Sequence, residues 1–205
     1  MSLTLSIQNW IHLNSRTATK DGQPMLQDSY VAAQEPQDVY RLLQYNYMKF
    51  FKMDLLCKWA WLGAEALLTD EGNAVYEGID KNKVAVVLMT AHGCIDVDKK
   101  YLAGMQNIPS PALFVYTLPN IMLGEISIRH GFKGEQLCLV DEKFNTEELY
   151  FWVSDLLNNR GMDACLCGWA DVYDMNKDIC FFWVSRQDGG LSFTKEKLQQ
   201  LYNNE

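Results

Sequence analysis

Histidine and cysteine side chains are the groups in this 205-residue chain best suited to covalent or proton-transfer chemistry, and one short segment holds both. Residues 90–94 read Thr-Ala-His-Gly-Cys, so the imidazole of His92 and the thiol of Cys94 lie two residues apart. A cysteine beside a histidine can act as a nucleophile with its base, although residues this close together on a turn rarely point at each other. His12 and His130 have no serine or cysteine placed to use them as a base.

The six cysteines are a second source of chemistry, but their positions favour buried thiols. Several lie inside apolar runs, where a cysteine usually behaves as a small hydrophobic residue. Cys165 and Cys167 have the spacing of two residues on one face of a strand, and a metal site would need two further ligands close by. The sequence has neither a Cys-x-x-Cys motif nor a pair of neighbouring histidines. We therefore expect no metal and no cofactor.

The composition excludes several classes of protein. The net charge of -8 is opposite to what nucleic-acid binding needs, because phosphate contacts require a basic surface. Residues 1–10 lack the basic start and apolar core of a signal peptide, and no segment approaches the ~20 apolar residues of a membrane span. The chain is long enough for one sizeable core, and 48% of its residues are hydrophobic. We expect a reduced, cytoplasmic protein that binds neither nucleic acid nor membrane.

Hydrophobic patterns predict the elements that must position these groups. Compact or alternating apolar residues, typical of strands, occupy residues 3–13, 83–89, 112–117, 137–140, 163–168 and 179–185. Helical spacing occurs over residues 37–69, 96–105, 121–129 and 146–159, whereas residues 14–27 are typical of a loop. The order of these segments indicates an α/β fold with a mixed sheet and helices packed on its faces. We expect one domain over residues 1–190 and a polar C-terminal tail over residues 191–205.

Residues 119–134 contain a more specific motif, with a Pro-Asn pair, a Gly-x-Ile-Ser-Ile stretch and a Gly-x-Lys-Gly turn. This segment resembles the N-terminal half of β-ketoacyl synthases, the condensing enzymes of fatty-acid and polyketide synthesis. The resemblance extends over residues 37–186. It implies the N-terminal half of a thiolase-like fold with a mixed five-stranded sheet. The residues that carry it are Pro119, Asn120, Gly124, Ile126, Ser127, Ile128, Arg129, Gly131, Lys133 and Gly134.

The residue at the catalytic position departs from the family pattern. Counting on from Gly134, the nucleophilic cysteine of β-ketoacyl synthases falls at Lys143. A cysteine at a helix start gains thiolate character from the helix dipole, whereas a lysine there cannot form a thioester. Cys138 lies within a predicted strand and is not a displaced nucleophile. The family's two catalytic histidines belong to a C-terminal half that these residues do not include, so we predict no catalytic residue.

The resemblance and these departures together suggest a catalytically inactive, ketosynthase-like partner or scaffold subunit, similar to a chain length factor. The implied context is acyl-carrier-protein-dependent synthesis of a fatty acid, polyketide or aryl polyene. A diverged acyl- or protein-binding module is an alternative, as is an idle remnant, which the agreement between helix caps and core periodicity disfavours. An enzyme using Lys143 or the 90–94 turn is a further alternative. Asp141 and Glu142 disfavour a nucleophilic Lys143 because they favour its charged form.

A lone half of such a fold is expected to leave an apolar face bare, and bare apolar faces usually mark an interface. We therefore expect a homodimer, or a heterodimer with a full-length ketosynthase. Docking of an acidic acyl carrier protein would need a local basic patch. Candidates for that patch are Lys99, Lys100, Arg129, Lys133 and Arg160. The resemblance places the dimer interface at Leu113, Val115, Tyr116, Pro119, Asn120, Gly124, Ile126 and Ile128.

Overall fold

A computed structural model describes residues 4–70, 72–106, 108, 110–174 and 176–204. Its strands are β1 (Ser6–Asn14), β2 (Ala18–Lys20), β3 (Gln23–Pro24), β4 (Thr69–Asp70), β5 (Asn73–Ala74), β6 (Val84–Thr90), β7 (Gln136–Val140), β8 (Ala164–Tyr173), β9 (Asn176–Ser185) and β10 (Leu191–Ser192). Seven of them follow the order β3-β2-β1-β9-β8-β6-β7, and β10 joins the same sheet beside β1. The short β4 and β5 pair separately.

The five longer strands are consecutive in the sheet, from β1 to the edge strand β7, and correspond to five of the predicted strands. β6 runs parallel to both β7 and β8, whereas β9 runs antiparallel to β8 and β1. The sheet is mixed, as predicted, but it has eight strands rather than five because β2, β3 and β10 add two or three residues each. The predicted loop over residues 14–27 is therefore partly wrong, since it contains β2 and β3. Leu3, where we predicted the first strand to begin, lies outside the described residues.

The helices are α1 (Gln27–Ala32), α2 (Pro36–Leu42), α3 (Leu55–Leu68), α4 (Ile95–Gly104), α5 (Pro111–Val115), α6 (Ile121–His130), α7 (Thr146–Asn159) and α8 (Lys195–Asn203). Met48–Lys52 and Lys81–Lys83 are short 3-10 helices. The predicted strand over residues 112–117 is wrong, because α5 occupies residues 112–115 of this segment. The Ser110 hydroxyl accepts a hydrogen bond from the Leu113 amide, and Pro111 takes the first helical position, which together start a helix.

α3 lies across β1, β8 and β9 and is buried on all sides. Its N-terminus is capped by Asp54, whose carboxylate accepts hydrogen bonds from two amides of the first turn. The side of α3 that faces away from the sheet is covered by residues 36–53 of the same chain. Rings from this segment surround Trp61, and the ring of Tyr47 stacks on it with a centroid distance of 5.4 Å. The expectation of a bare apolar face is therefore wrong for α3, because the chain covers this helix itself.

The opposite face of the sheet is covered by α7 and α8. Leu149, Val153 and Leu156 of α7 are buried against it, together with Leu198 of α8. The segment after residue 190 is thus packed structure: β10 pairs with β1, and α8 contacts α7. Glu205, the last residue of the predicted tail, lies outside the described residues. Within the described residues, no helix is long and apolar enough to cross a membrane.

Candidate functional site

The parallel strands β6, β7 and β8 end at one edge of the sheet, and the sequence candidates for chemistry meet there. We call this the carboxyl edge and define it as residues 90–94, 141–145 and 171–173. The amide of Asp141 donates a hydrogen bond to the Thr90 carbonyl oxygen at 3.1 Å, which joins the loop holding Lys143 to the turn holding His92. Ligands of open α/β sheets commonly bind beyond the carboxyl ends of the strands.

Asp171 of β8 organises the turn that follows β6. One carboxylate oxygen accepts hydrogen bonds from the Thr90 hydroxyl at 3.0 Å, the Ala91 amide at 3.0 Å and the His92 amide at 2.8 Å. The other oxygen lies 2.7 Å from Nδ1 of the His92 imidazole. A single carboxylate therefore fixes both the backbone of the turn and the orientation of its histidine.

The structure does not form the Cys–His pair that residues 90–94 could have supplied. His92 is directed to Asp171, and no hydrogen bond among the described residues joins it to Cys94. Cys94 is buried, and burial raises the pKa of its thiol to about 12, with Asp54 and Asp98 adding to the effect. A thiol in this state is not a nucleophile at neutral pH.

Lys143 lies on the exposed part of the loop between β7 and α7. The start of α7 is already capped, because the Asn145 side-chain oxygen accepts hydrogen bonds from the amides of Glu147 and Glu148. These two carboxylates are exposed in the first turn of α7, where they complement the positive end of the helix dipole. A helix start arranged in this way has no thiol at its cap, and two of its amides are already occupied by Asn145.

All six cysteines lie among the described residues, and none has a thiol prepared for nucleophilic attack. Burial raises the pKa of Cys138 to about 11 and raises that of Cys57, Cys167 and Cys180 well above the ordinary value. Cys165 is fully buried. Thiols in such surroundings are structural. Among the described residues, no three His, Cys, Asp or Glu side chains come together as a metal site.

A cavity of about 960 Å³ lies beside the carboxyl edge. Its walls come from residues 49–58, the 93–97 part of the turn and α4, and residues 110–116. Glu125 is buried in one wall, where the Tyr116 hydroxyl donates to it at 3.1 Å and the Lys49 ammonium lies 2.7 Å away. The wall is apolar over most of its area. Besides Glu125 and Lys49, its charged residues are Glu35, Asp54, Asp96, Lys52, Lys58 and Lys100.

The predicted interface residues occupy different environments. Val115 and Ile128 are exposed, whereas Ile126 is completely buried in the core and has no surface to offer a partner. Asn120 is also exposed. The remaining residues are partly buried, namely Leu113, Tyr116, Pro119 and Gly124.

Six large exposed apolar side chains are concentrated within residues 102–118, in and between α4 and α5. We call this set the apolar patch. Ile108 is the extreme case, with 95% of its surface exposed. An exposed apolar surface of this kind usually marks an interaction site. The patch consists of Leu102, Met105, Ile108, Phe114, Val115 and Leu118.

The candidate basic residues do not form one patch of free charges. Arg129 is paired with Glu65, and Arg160 is paired with Asp155 and Glu135. The Lys99 ammonium lies over the ring of Tyr173, 4.9 Å from its centroid. Lys100 lines the cavity, and Lys133 is exposed in the loop after α6.

Sequence reasoning missed Asp171 and Glu125, the two carboxylates that define the polar parts of this region. Asp171 follows the apolar run Ala164–Ala170 on β8, and an acidic residue after a buried strand was the available signal. Glu125 lies at a core position of the apolar face of α6, where a carboxylate requires a partner. Asp171 lies 79 residues from His92, whereas Glu125 lies only nine residues from Tyr116.

Comparisons with known proteins identify the fold. No protein-family model matches the sequence. No curated protein matches it either. Among solved structures, "The ishigamide ketosynthase/chain length factor" superposes with a TM-score of 0.67 at 13% identity, covering 92% of this chain and 64% of that one. A ketosynthase (ApeO) in complex with its chain length factor (ApeC) from Xenorhabdus doucetiae gives 0.59 at 14% identity, covering 98% and 91%.

A third structure, AntDE:AntF, is described as a type II polyketide synthase acyl-carrier protein in complex with its ketosynthase bound to the hexaketide. It gives a TM-score of 0.61 at 11% identity and covers 89% of this chain and 62% of that one. This chain therefore spans less than two thirds of the first and third of these structures and most of the second. At these identities the likeness establishes the fold, and the predicted thiolase-like α/β fold is confirmed.

Proposed function

We propose that this chain, which has the ketosynthase and chain-length-factor fold, is a non-condensing partner subunit of a complete ketosynthase. Its context would be acyl-carrier-protein-dependent synthesis of a fatty acid, polyketide or aryl polyene. Two of the similar structures contain a ketosynthase with a chain length factor, and a third holds a ketosynthase with its acyl carrier protein. These names describe the neighbours, and we carry their mode of assembly to this chain as part of the proposal.

The observation that carries the proposal is the state of the carboxyl edge. Condensation by the ketosynthase route begins with an acyl thioester on an activated cysteine. Lys143 stands at the position that the resemblance assigns to this cysteine, and Cys94 is the one thiol among the residues of the edge. Because burial holds the pKa of Cys94 near 12, the edge offers no thiolate at neutral pH.

The apolar patch supports the partner role. It groups exposed leucine, isoleucine, valine, methionine and phenylalanine side chains beside the segment that the resemblance places at a dimer interface. Because the chain itself covers most of its core, burying this patch against a partner would remove exposed apolar surface from water and favour the complex. Val115 belongs both to the patch and to the predicted interface residues.

The test is complex formation with the catalytically complete ketosynthase of the same organism, measured by light scattering after co-purification. We expect a one-to-one complex for the wild type. Phe114→Glu places a charge in the patch and should weaken the complex at least tenfold, because a charge is buried without a partner. Phe151→Glu is the matched control, since Phe151 is similarly exposed on α7, outside the patch. A wild-type chain that forms no complex, or a Phe114→Glu variant that binds normally, would contradict the proposal.

The cavity favours a second candidate function, a small-molecule or acyl-binding module that works without a ketosynthase. About 960 Å³ is at the upper end of the volume usual for ligand pockets. This candidate predicts a chain that remains monomeric beside a ketosynthase but binds a short-chain acyl probe in solution. Calorimetry with that probe, on the same samples, separates the two functions.

A further inference from the structure

The three histidines of the chain differ in how many ring nitrogens are available. Nε2 of His12 lies 2.8 Å from Asp178, and its Nδ1 lies 3.3 Å from the Asn204 amide. His130 is buried, with Nδ1 3.1 Å from the Tyr76 hydroxyl and Nε2 facing Glu65 at 3.5 Å. Both rings are therefore held inside the protein, and Nε2 of His130 is buried without a hydrogen-bond partner within the described residues. They serve the packing and have no access to a substrate.

His92 is different because one of its nitrogens is open. Its Nδ1 faces Asp171 at 2.7 Å, and no hydrogen bond among the described residues involves its Nε2. The side chain is 42% exposed, so Nε2 can reach solvent. A carboxylate can only accept, so the ring proton resides on Nδ1 and Nε2 carries the lone pair. This is the tautomer that a general base needs.

The ring of His92 is fixed in place by more than its aspartate. It stacks on Tyr173 with a centroid distance of 4.4 Å and an interplanar angle of 2°. Asp171 is itself fixed by three further hydrogen bonds from the turn. An imidazole with a fixed plane, a fixed tautomer and one open nitrogen is pre-organised for proton transfer, which lowers the cost of reaching a reactive geometry.

A cation and a cavity lie near the turn that holds this imidazole. The Lys99 ammonium approaches the Tyr173 ring on which His92 stacks, 4.9 Å from the ring centroid. The residues that follow His92 in the turn, Gly93 and Cys94, form part of the wall of the cavity of about 960 Å³. An acyl group in this cavity would be bound next to the turn that carries the base.

We propose that His92, oriented by Asp171, is a general base that activates water for hydrolysis of an acyl thioester at the carboxyl edge. The water oxygen bonds to the carbonyl carbon while its proton passes to Nε2. The carbon–sulfur bond then breaks, and the leaving sulfur takes the proton back from the imidazolium. The products are a carboxylic acid and a thiol. Asp171 is a positioning residue that also stabilises the imidazolium. This activity goes beyond the proposed partner role and needs no ketosynthase.

The experiment uses the purified chain alone with S-butyryl-N-acetylcysteamine in ¹⁸O-labelled water. We expect butyrate carrying one ¹⁸O to form faster than in buffer. His92→Gln keeps a side chain that can still contact Asp171 but has no base, and it should lower the catalysed rate about 100-fold. Asp171→Asn should lower it less. Lys83→Gln, an exposed change just before the opposite end of β6, is the control and should keep the wild-type rate.

A purely structural role for His92 is distinguished by chemical rescue. Imidazole added to His92→Ala should restore part of the rate, because a free base can replace the missing one, whereas it cannot restore a damaged turn. Far-ultraviolet circular dichroism establishes that the variants fold. A wild-type rate equal to that of buffer, or equal rates for wild type and His92→Gln, would overturn the assignment. Neither outcome bears on complex formation, which the proposed function predicts separately.

Discussion

Glu65 and Arg129 form an ion pair at the junction of α3 and α6. The Arg129 guanidinium donates to both carboxylate oxygens of Glu65, from Nε at 2.9 Å and 3.2 Å and also from Nη2. Glu65 is buried, and the guanidinium is covered by the rings of Tyr47 and Trp61. The pair thus ties α3 and α6 to the segment that covers α3.

Arg129→Gln should lower the free energy of unfolding by about 2 kcal/mol. Removing one partner of a buried pair leaves an uncompensated charge and costs about 3–5 kcal/mol, and the partial exposure of Arg129 reduces this. Arg160→Gln is the matched control, because Arg160 also bridges carboxylates but is exposed. Urea denaturation should show a clear loss for Arg129→Gln and a smaller one for Arg160→Gln. Equal losses would show that the burial of Glu65 does not increase the cost of removing its arginine partner.

His130 should make the stability of the protein depend on pH. Burial lowers its pKa from about 6.5 to about 4, and the attraction of Glu65 only partly opposes this. As the pH falls through this window, the unfolded chain takes up a proton at this residue before the folded chain does. The contribution of His130 to the free energy of unfolding should therefore be fully present above pH 6.5. It should decrease towards pH 4, by at most about 3 kcal/mol.

The measurement is urea denaturation of wild type and His130→Gln between pH 7 and pH 4. The difference in unfolding free energy between the two proteins should shrink as the pH falls, because the variant lacks the titrating ring. A difference that stays constant over the whole range would show that His130 is as easily protonated in the folded chain as in the unfolded one.

At the residue scale, the sequence supplied the segments of the site but not its contacts. The 90–94 turn and Lys143 were both recognised, and the structure places them on neighbouring loops. The Asp141 amide joins the two loops by its hydrogen bond to the Thr90 carbonyl oxygen. What fixes His92 is Asp171, which lies 79 residues away from it in the chain. Such a contact depends on which strands are neighbours in the sheet, and local pattern does not contain that information.

At the scale of elements, α3 packs very closely on the sheet at one glycine. A Cβ atom added to Gly63 would lie 2.7 Å from Cγ2 of Ile179 and 3.3 Å from the ring of Phe181. Both neighbours are completely buried and cannot move aside freely. Gly63 therefore sets the distance between α3 and β9. Gly124, in the interior of α6, has no atom within 4 Å of the corresponding position.

Gly63→Ala and Gly124→Ala should change stability in opposite directions. The first should destabilise the protein by about 1–3 kcal/mol through overpacking. The second should stabilise it by about 0.5–1 kcal/mol, because alanine loses less conformational entropy in a helix. The measurement is the melting temperature of each variant, compared with that of the wild type. If Gly63→Ala were also stabilising, the close approach of α3 to the sheet would be disproved.

The elements predicted correctly are those in which the secondary-structure preference of the residues agrees with their pattern of burial. β6 is an unbroken β-branched and apolar run buried on both faces, and α7 combines an Asn145 cap with an apolar stripe. The strand prediction for residues 112–117 failed because Phe, Val and Tyr favour a strand. Ser110 and Pro111 instead start a helix, which leaves Phe114 and Val115 on the surface. The short strands β2, β3 and β10 have too few residues for a periodic signal.

At the scale of the whole molecule, the chain closes most of its own core. Residues 36–53 cover α3, and α7 and α8 cover the opposite face of the sheet. Six large exposed apolar side chains form the apolar patch next to the cavity. A covered core with an exposed apolar patch is what the proposed partner role requires. The sequence alone predicted the need for a partner surface, but not that the chain would cover α3.

A non-condensing subunit has no thiol or amine at the carboxyl edge that accepts an acyl group. The direct measurement is intact mass spectrometry of the purified chain after prolonged exposure to S-butyryl-N-acetylcysteamine at neutral pH. We predict that the protein keeps its unmodified mass, since Cys94 is buried with a raised pKa and Lys143 is a solvent-exposed lysine. Stoichiometric addition of one butyryl group, mapped to Cys94 or Lys143, would contradict the account.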